Sequence, residues 1–148
     1  GKKIYIEIKS SADTVGPILD EIKKSSLQTE QIVFISFKEK VLAEVKKKAP
    51  HLYTSWLCNI KKNKQGQLKP SQESILQSLR EMNANGLSAS QHAISPVFIQ
   101  ELHTNGYQFH VWTVNSGSQA KRFIQWKTDS ITTDMPQIIK TASMVAPK

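Results

Sequence analysis

In the opening stretch Ile4-Tyr5-Ile6-Glu7-Ile8-Lys9, isoleucine takes every second position. Side chains along a strand point to opposite faces in turn, so this alternation predicts a short strand. Ile4, Ile6 and Ile8 share one face, which requires an apolar layer such as helices. Tyr5, Glu7 and Lys9 share the other. The period then changes. Val15, Ile18, Leu19 and Ile22 recur at helical spacing behind the candidate caps Ser11 and Asp13, with Pro17 tolerated in the first turn. Residues 32–37 (IVFISF) form a continuous apolar run, as expected of a strand buried on both faces. Val41, Leu42 and Val45 mark a second helix, stopped by Pro50, and residues 52–57 a third strand.

Residues 61–69 (KKNKQGQLK) break the pattern. They read as the longest loop, either a surface insertion or a basic lid. A helix starts at Pro70-Ser71, with Ile75, Leu76, Leu79 and Met82 inside and Asn85-Gly86 as its C-terminal cap. Residues 87–93 form a strand placed mainly by position. Ser95-Pro96 opens a helix with Val97, Phe98 and Leu102 inward, and Asn105-Gly106 ends it. Residues 107–114 (YQFHVWTV) are a strand, 116–127 a helix holding Ala120, Phe123 and Ile124, and 130–133 a last strand. Asp134 and Pro136 open the final helix, with Ile138, Ile139, Ala142 and Val145 on its inner face.

Strand and helix therefore alternate, with no two strands joined by a hairpin. Such alternation gives parallel pairing with right-handed crossovers. An open doubly wound sheet and a partial β/α barrel both satisfy it. A complete eight-unit barrel takes about 250 residues, so 148 residues fit about six units. In either fold, sites lie at the C-terminal strand ends, where Glu7, Lys9, Phe37, Asn115 and Asp134 fall. The length suits a single domain, residues 1–148, with a core of its own. An apolar fraction of 39% excludes a disordered chain. No apolar run approaches the ~20 residues of a membrane span. No signal-type leader opens the sequence, which leaves the compartment open.

The net charge of +8 changes the picture less than its size suggests. It is nearly all lysine; Arg80 and Arg122 are the only arginines. Readers of bases and phosphates lean on arginine forks and aromatic stacking, so no nucleic-acid partner is expected. Lys23, Lys24, Lys46, Lys47 and Lys48 fall on helix faces, where a solvated surface is the plain reading. Attraction of anionic substrates, phospholipid headgroups or nucleic acid is the sharper one. The single cysteine, Cys58, excludes an internal disulfide and reads as a buried thiol.

Several chemistries lack their tools. No glycine-rich phosphate loop follows the first strand, and no Gly-x-Ser-x-Gly elbow occurs. None of His51, His92, His103 and His110 stands at helical i, i+4 spacing from another, so a zinc pair is not indicated. His51 reads as a loop residue and His103 as solvent-facing; only His92 falls near strand ends. The strand ends offer instead Glu7, Lys9, Ser36, Trp112 and Asn115. A carboxylate beside a lysine suits an oxyanion held through a hard divalent cation, although one carboxylate is too few to hold Ca²⁺ or Mg²⁺.

Four pieces, in order, resemble the glycerophosphodiester phosphodiesterases. Ile6-Glu7-Ile8-Lys9 is similar to the family's Glu-x-Lys strand, and Ile35-Ser36-Phe37 to the Ser-Phe end of the next. Val111-Trp112-Thr113-Val114-Asn115 resembles the Trp-Thr-Val-Asn strand, and Thr133-Asp134-Met135-Pro136 the closing Thr-Asp-x-Pro. The resemblance implies an α/β fold: a partial TIM-type barrel of parallel strands alternating with helices, made of the third to eighth units and lacking the first two strands. It implies Glu7 as one carboxylate ligand of a divalent metal (Ca or Mg), Lys9 on the substrate phosphate, and Trp112 walling the pocket. Glu7 and Lys9 would jointly face the barrel interior. The implied reaction splits a glycerophosphodiester into glycerol 3-phosphate and an alcohol.

The family's His-Arg, Glu-x-Asp and His-Asp motifs do not occur here. The resemblance therefore implies no catalytic residue in this chain, an incomplete metal site, and two open strand edges. Those edges invite the missing N-terminal strands or a second copy as partner. Two alternatives stand beside the hydrolase: a self-associating, non-catalytic domain that binds anionic or phosphorylated ligands, and an unrelated doubly wound domain whose lysines bind nucleic acid or acidic partners.

Overall fold

β-branched and aromatic residues dominate three of the runs that form the main sheet, at residues 4–7, 32–36 and 108–112, as a pleated, buried surface favours. A computed structural model describes residues 2–144. The strands of the main sheet are β1 (Ile4–Glu7), β2 (Ile32–Ser36), β3 (Tyr53–Cys58), β6 (Gly86–Ser90), β7 (Gln108–Trp112) and β8 (Ser130–Ile131). A separate antiparallel pair joins β4 (Lys61–Lys62) and β5 (Leu68–Lys69). The helices are α1 (Val15–Lys24), α2 (Glu39–Lys48), α3 (Gln72–Glu81), α4 (Pro96–Thr104), α5 (Gly117–Gln125) and α6 (Pro136–Met144). In the main sheet each strand neighbours its successor, in the order β1-β2-β3-β6-β7-β8. A doubly wound sheet reverses its order at a switch point; this one does not.

The chain divides into two compact units. The first takes the chain up to Leu57 together with Glu73–Leu87. In it β1 pairs parallel with β2, and β2 with β3, in registers that set Glu7 beside Ile35 and Ser36 beside Trp56. Phe34, Val41, Leu42, Val45, Ile75 and Leu79 form its core. Burying such a side chain stabilises by about 1.5–3 kcal/mol relative to exposure. The second unit takes Cys58–Gln72 and the chain from Ser88 on. There β7 pairs parallel with β8, and Phe98, Ile99, Leu102, Phe109, Ala120 and Phe123 are buried. Phe98 and Phe109 meet edge to face at 6.2 Å.

Several expectations need correction. The opening strand ends at Glu7, and its isoleucine face is only partly covered: Ile8 is buried, but Ile4 is 45% exposed. Among the described residues β1 pairs with β2 alone, at the edge of the sheet. The 61–69 stretch contains a hairpin. The Asn63 side chain accepts from the Gln65 and Gln67 N–H groups, and Gly66 takes φ +77°, which together close the turn. The cap of α3 is Asn83, at φ +52°, not Asn85-Gly86. The Ala84 N–H donates back to the Leu79 carbonyl, and Gly86 begins β6. Asn85 instead ties to β3, its Oδ1 accepting from the Thr54 N–H. Val97 is exposed; Ile99 takes the inward position on α4. His103 is exposed, as read, and stands 2.8 Å from Asp129. Cys58 is buried, as read. Val145, expected on α6, lies outside the described residues.

Candidate functional site

In the first unit the candidate groups stand where β1 and β2 end. The Ile8 N–H donates to the Ile35 carbonyl at 3.0 Å, and the Ile8 carbonyl accepts from Ser36 Oγ at 2.7 Å. The residue between Glu7 and Lys9 is thus tied to β2 through both of its backbone polar groups. Ser36 is fully buried and also accepts from the Lys38 N–H, so its hydroxyl clamps the two strand ends rather than facing a ligand. The Phe37 carbonyl accepts from the Trp56 indole, which ties the next residue to β3.

On this support Lys9 Nζ stands 3.6 Å from Glu7 Oε2, with the two side chains 81% and 31% exposed. Glu7, Lys9, Ser36, Phe37 and Lys38 line a cleft of about 300 Å³. An ion pair this exposed contributes only about 0–1 kcal/mol to stability. The fold therefore gains little from the pair, and both charges stay open to a ligand. An anion meets the Lys9 ammonium; a cation meets the Glu7 carboxylate.

In the second unit Trp112 ends β7, half-buried, in a cleft of about 640 Å³. Lys61, Lys62, Ser90, His92 and Thr113 are among the residues that share it. The Thr113 carbonyl accepts from Gln91 Nε2 at 2.7 Å, so the floor behind Trp112 is fixed to the turn that carries His92. Beyond it Asn115 locks the last two strand ends together. Its Oδ1 accepts from Thr133 Oγ1 and from the Asp134 N–H, and its Nδ2 donates to Asp134 Oδ2. The Trp-Thr-Val-Asn and Thr-Asp-x-Pro stretches thus meet through one amide side chain. Asn115 and Asp134 bond each other, which the strand-end placement alone did not indicate. The sequence reads Lys61 and Lys62 as loop residues, and their place on β4 beside Trp112 has no local signal.

Hard divalent cations take six or more oxygens. Among the described residues no three His, Cys, Asp or Glu side chains gather in a group able to hold a metal ion. Glu7 offers one carboxylate with a lysine beside it, so these residues do not by themselves fit Ca²⁺ or Mg²⁺. Of the ionisable groups with a resolved displacement, none lines either cleft. Ser11 holds the Asp13 carboxyl below the usual range through its hydroxyl, Lys23 does the same for Asp20, and burial lowers Lys46. Among the described residues no helix is long and apolar enough to cross a membrane.

Known proteins match this chain in sequence and in fold. A glycerophosphodiester phosphodiesterase of Caldanaerobacter subterraneus is 27% identical over 139 residues, covering 92% of this chain and 53% of that protein. The fold superposes on a Silicibacter pomeroyi protein assigned as a glycerophosphoryl diester phosphodiesterase, with TM-score 0.83 and 22% identity over 96% of this chain and 50% of that one. It also superposes on an Oleispira antarctica phosphodiesterase solved with the product sn-glycerol-3-phosphate, with TM-score 0.80 and 20% identity over 96% and 55%. The architecture is thus a six-stranded parallel part of a TIM-type barrel, and the chain spans about half the length of the relatives it matches. The glycerophosphoryl diester phosphodiesterase family profile matches residues 2–138, and the chain belongs to that family of phosphoric diester hydrolases.

Proposed function

We propose that these 148 residues form a single domain, the C-terminal part of a metal-dependent barrel that hydrolyses glycerophosphodiesters to glycerol 3-phosphate and an alcohol. The observation that carries this reading is the Glu7–Lys9 pair, set on a rigid strand end in a chain matched to the family over nearly its whole length. Lys9 contacts the substrate phosphate, where its ammonium offsets negative charge. Glu7 gives one oxygen donor to a divalent cation whose remaining donors lie outside this chain. Trp112 packs its indole against the glycerol or alcohol part. Such a hydrolysis needs a base for the attacking oxygen and an acid for the leaving alkoxide. The family's two histidine motifs are absent from the 148 residues, so the acid–base pair and the first two strands are supplied from elsewhere.

The test is release of glycerol 3-phosphate from glycerophosphocholine with Ca²⁺ or Mg²⁺. The chain alone is expected to release none. Mixed or fused with the part of the Caldanaerobacter relative that it does not match, it is expected to release product. Turnover by the chain alone would overturn the assignment of the acid–base pair to missing strands. A soluble, folded fusion with no turnover would count against the hydrolase reading.

The exposed edge strand supports a second reading. Ile4 and Tyr5, each 45% exposed, sit on β1, whose outer backbone has no strand beside it among the described residues. Such an edge pairs readily with another chain, here a second copy. In that form the domain would bind anionic or phosphorylated ligands without hydrolysis.

A further inference from the structure

The β4–β5 hairpin carries Lys61, Lys62, Lys64 and Lys69 and no acidic residue. Its register sets Lys61 directly opposite Lys69. Like charges at directly opposed positions destabilise a two-stranded ribbon, and this one has only two residues per strand to resist it. The hairpin lies against the Gln91–Ala93 turn. Lys61, Lys62 and His92 then line the Trp112 cleft, and no carboxylate is among its lining residues. A pocket built for a quaternary ammonium group combines aromatic faces with negative charge. This one combines an indole with cations.

We propose that the hairpin and cleft select glycerophosphodiesters whose alcohol part itself bears an anionic group, such as a second phosphate, over those with a cationic alcohol. This rests on the reading of the Trp112 cleft as the pocket for the alcohol part. The bound anion offsets the Lys61–Lys69 repulsion, so the hairpin is firmer with ligand than without. The cleft volume of about 640 Å³ lies within the range that holds small ligands.

Binding tests this without requiring turnover. Glycerophosphoinositol 4-phosphate and glycerophosphocholine are titrated into the full 148-residue chain at low salt. Heat is measured, and the Trp112 indole is followed by NMR. The first ligand is expected to bind about tenfold tighter, or about 1.4 kcal/mol. The preference is expected to shrink severalfold in Lys61→Gln/Lys62→Gln, and with added salt. Those exposed positions are expected to tolerate the change, with unaltered circular dichroism as the check. Equal affinities, with the Trp112 signal shifting for both ligands, would overturn the selectivity while leaving the pocket standing. No shift of Trp112 with either ligand would overturn the pocket reading and the proposal with it. Binding to phosphatidylglycerol vesicles, with none to either soluble diester, would identify a membrane-facing patch and overturn the proposal.

Discussion

Two lysines show how differently one residue type is used. Lys9 is solvent-facing beside Glu7, where its charge costs the fold almost nothing. Lys46 is buried, and its ammonium donates to the Pro50 and Leu52 carbonyls, each at 2.9 Å. It closes the turn between α2 and β3. Replacing it with methionine leaves two carbonyls without their donor. The expected loss is about 1–3 kcal/mol in a urea titration. Burial holds the folded Lys46 below the ordinary lysine value of 10.5. Between the folded value and 10.5 the unfolded chain binds more protons, so this group makes stability rise with pH. Below that window its effect is constant. The wild type is therefore expected to gain on Lys46→Met as pH climbs toward 10.5. A gap between the two that stays constant or narrows would show that burial does not perturb Lys46.

At the scale of elements, the strand–helix alternation was legible where an alternating or continuous apolar run gives way to a period near 3.6, and least so at residues 87–93. So was the Ser95-Pro96 opening: Ser95 Oγ accepts from the Phe98 N–H at 3.2 Å, and Pro96 sits in the first turn. Ser95→Ala is expected to lower stability by about 1 kcal/mol, read as a lower melting temperature; no change would mean that the Phe98 N–H finds water equally well. The hairpin was illegible because four lysines and two glutamines give no apolar alternation, and only the turn bonds of Asn63 reveal it. The Asn85-Gly86 dipeptide looks like a helix end but is used as the start of a strand. Asn83, two residues earlier, adopts the left-handed conformation without a glycine's help. The exposure of Ile4 was hidden for another reason: a residue's period says which face it shares, not whether its strand is at an edge. In the candidate site, sequence pattern placed Glu7, Lys9 and Trp112 at or just beyond strand ends, where the structure has them. It did not show that Ser36 is a clamp or that Lys61 and His92 line one cleft, because both depend on partners distant in the chain.

At the scale of the molecule, six parallel strands in sequential order form part of a closed architecture in the relatives, and β1 offers its outer edge. An edge with exposed Ile4 and Tyr5 is expected to self-associate when nothing else covers it. Sedimentation at micromolar concentration is expected to show dimers or larger species, reduced by Tyr5→Lys, which places a charge on the edge strand. A strict monomer would count against edge pairing. The same edge connects the proposed chemistry to the whole, because Glu7 closes β1 and, as a proposed cation ligand, would need further donors beside it.

The most direct measurement is metal-dependent release of glycerol 3-phosphate by the fused, completed barrel, comparing the natural chain with Glu7→Gln. The substitution keeps the size of the side chain and removes its charge. A fold unchanged by circular dichroism, with turnover lost by about 10²-fold or more, is expected if Glu7 is a ligand needed to hold the cation. Unchanged turnover at saturating Ca²⁺ or Mg²⁺ would contradict it.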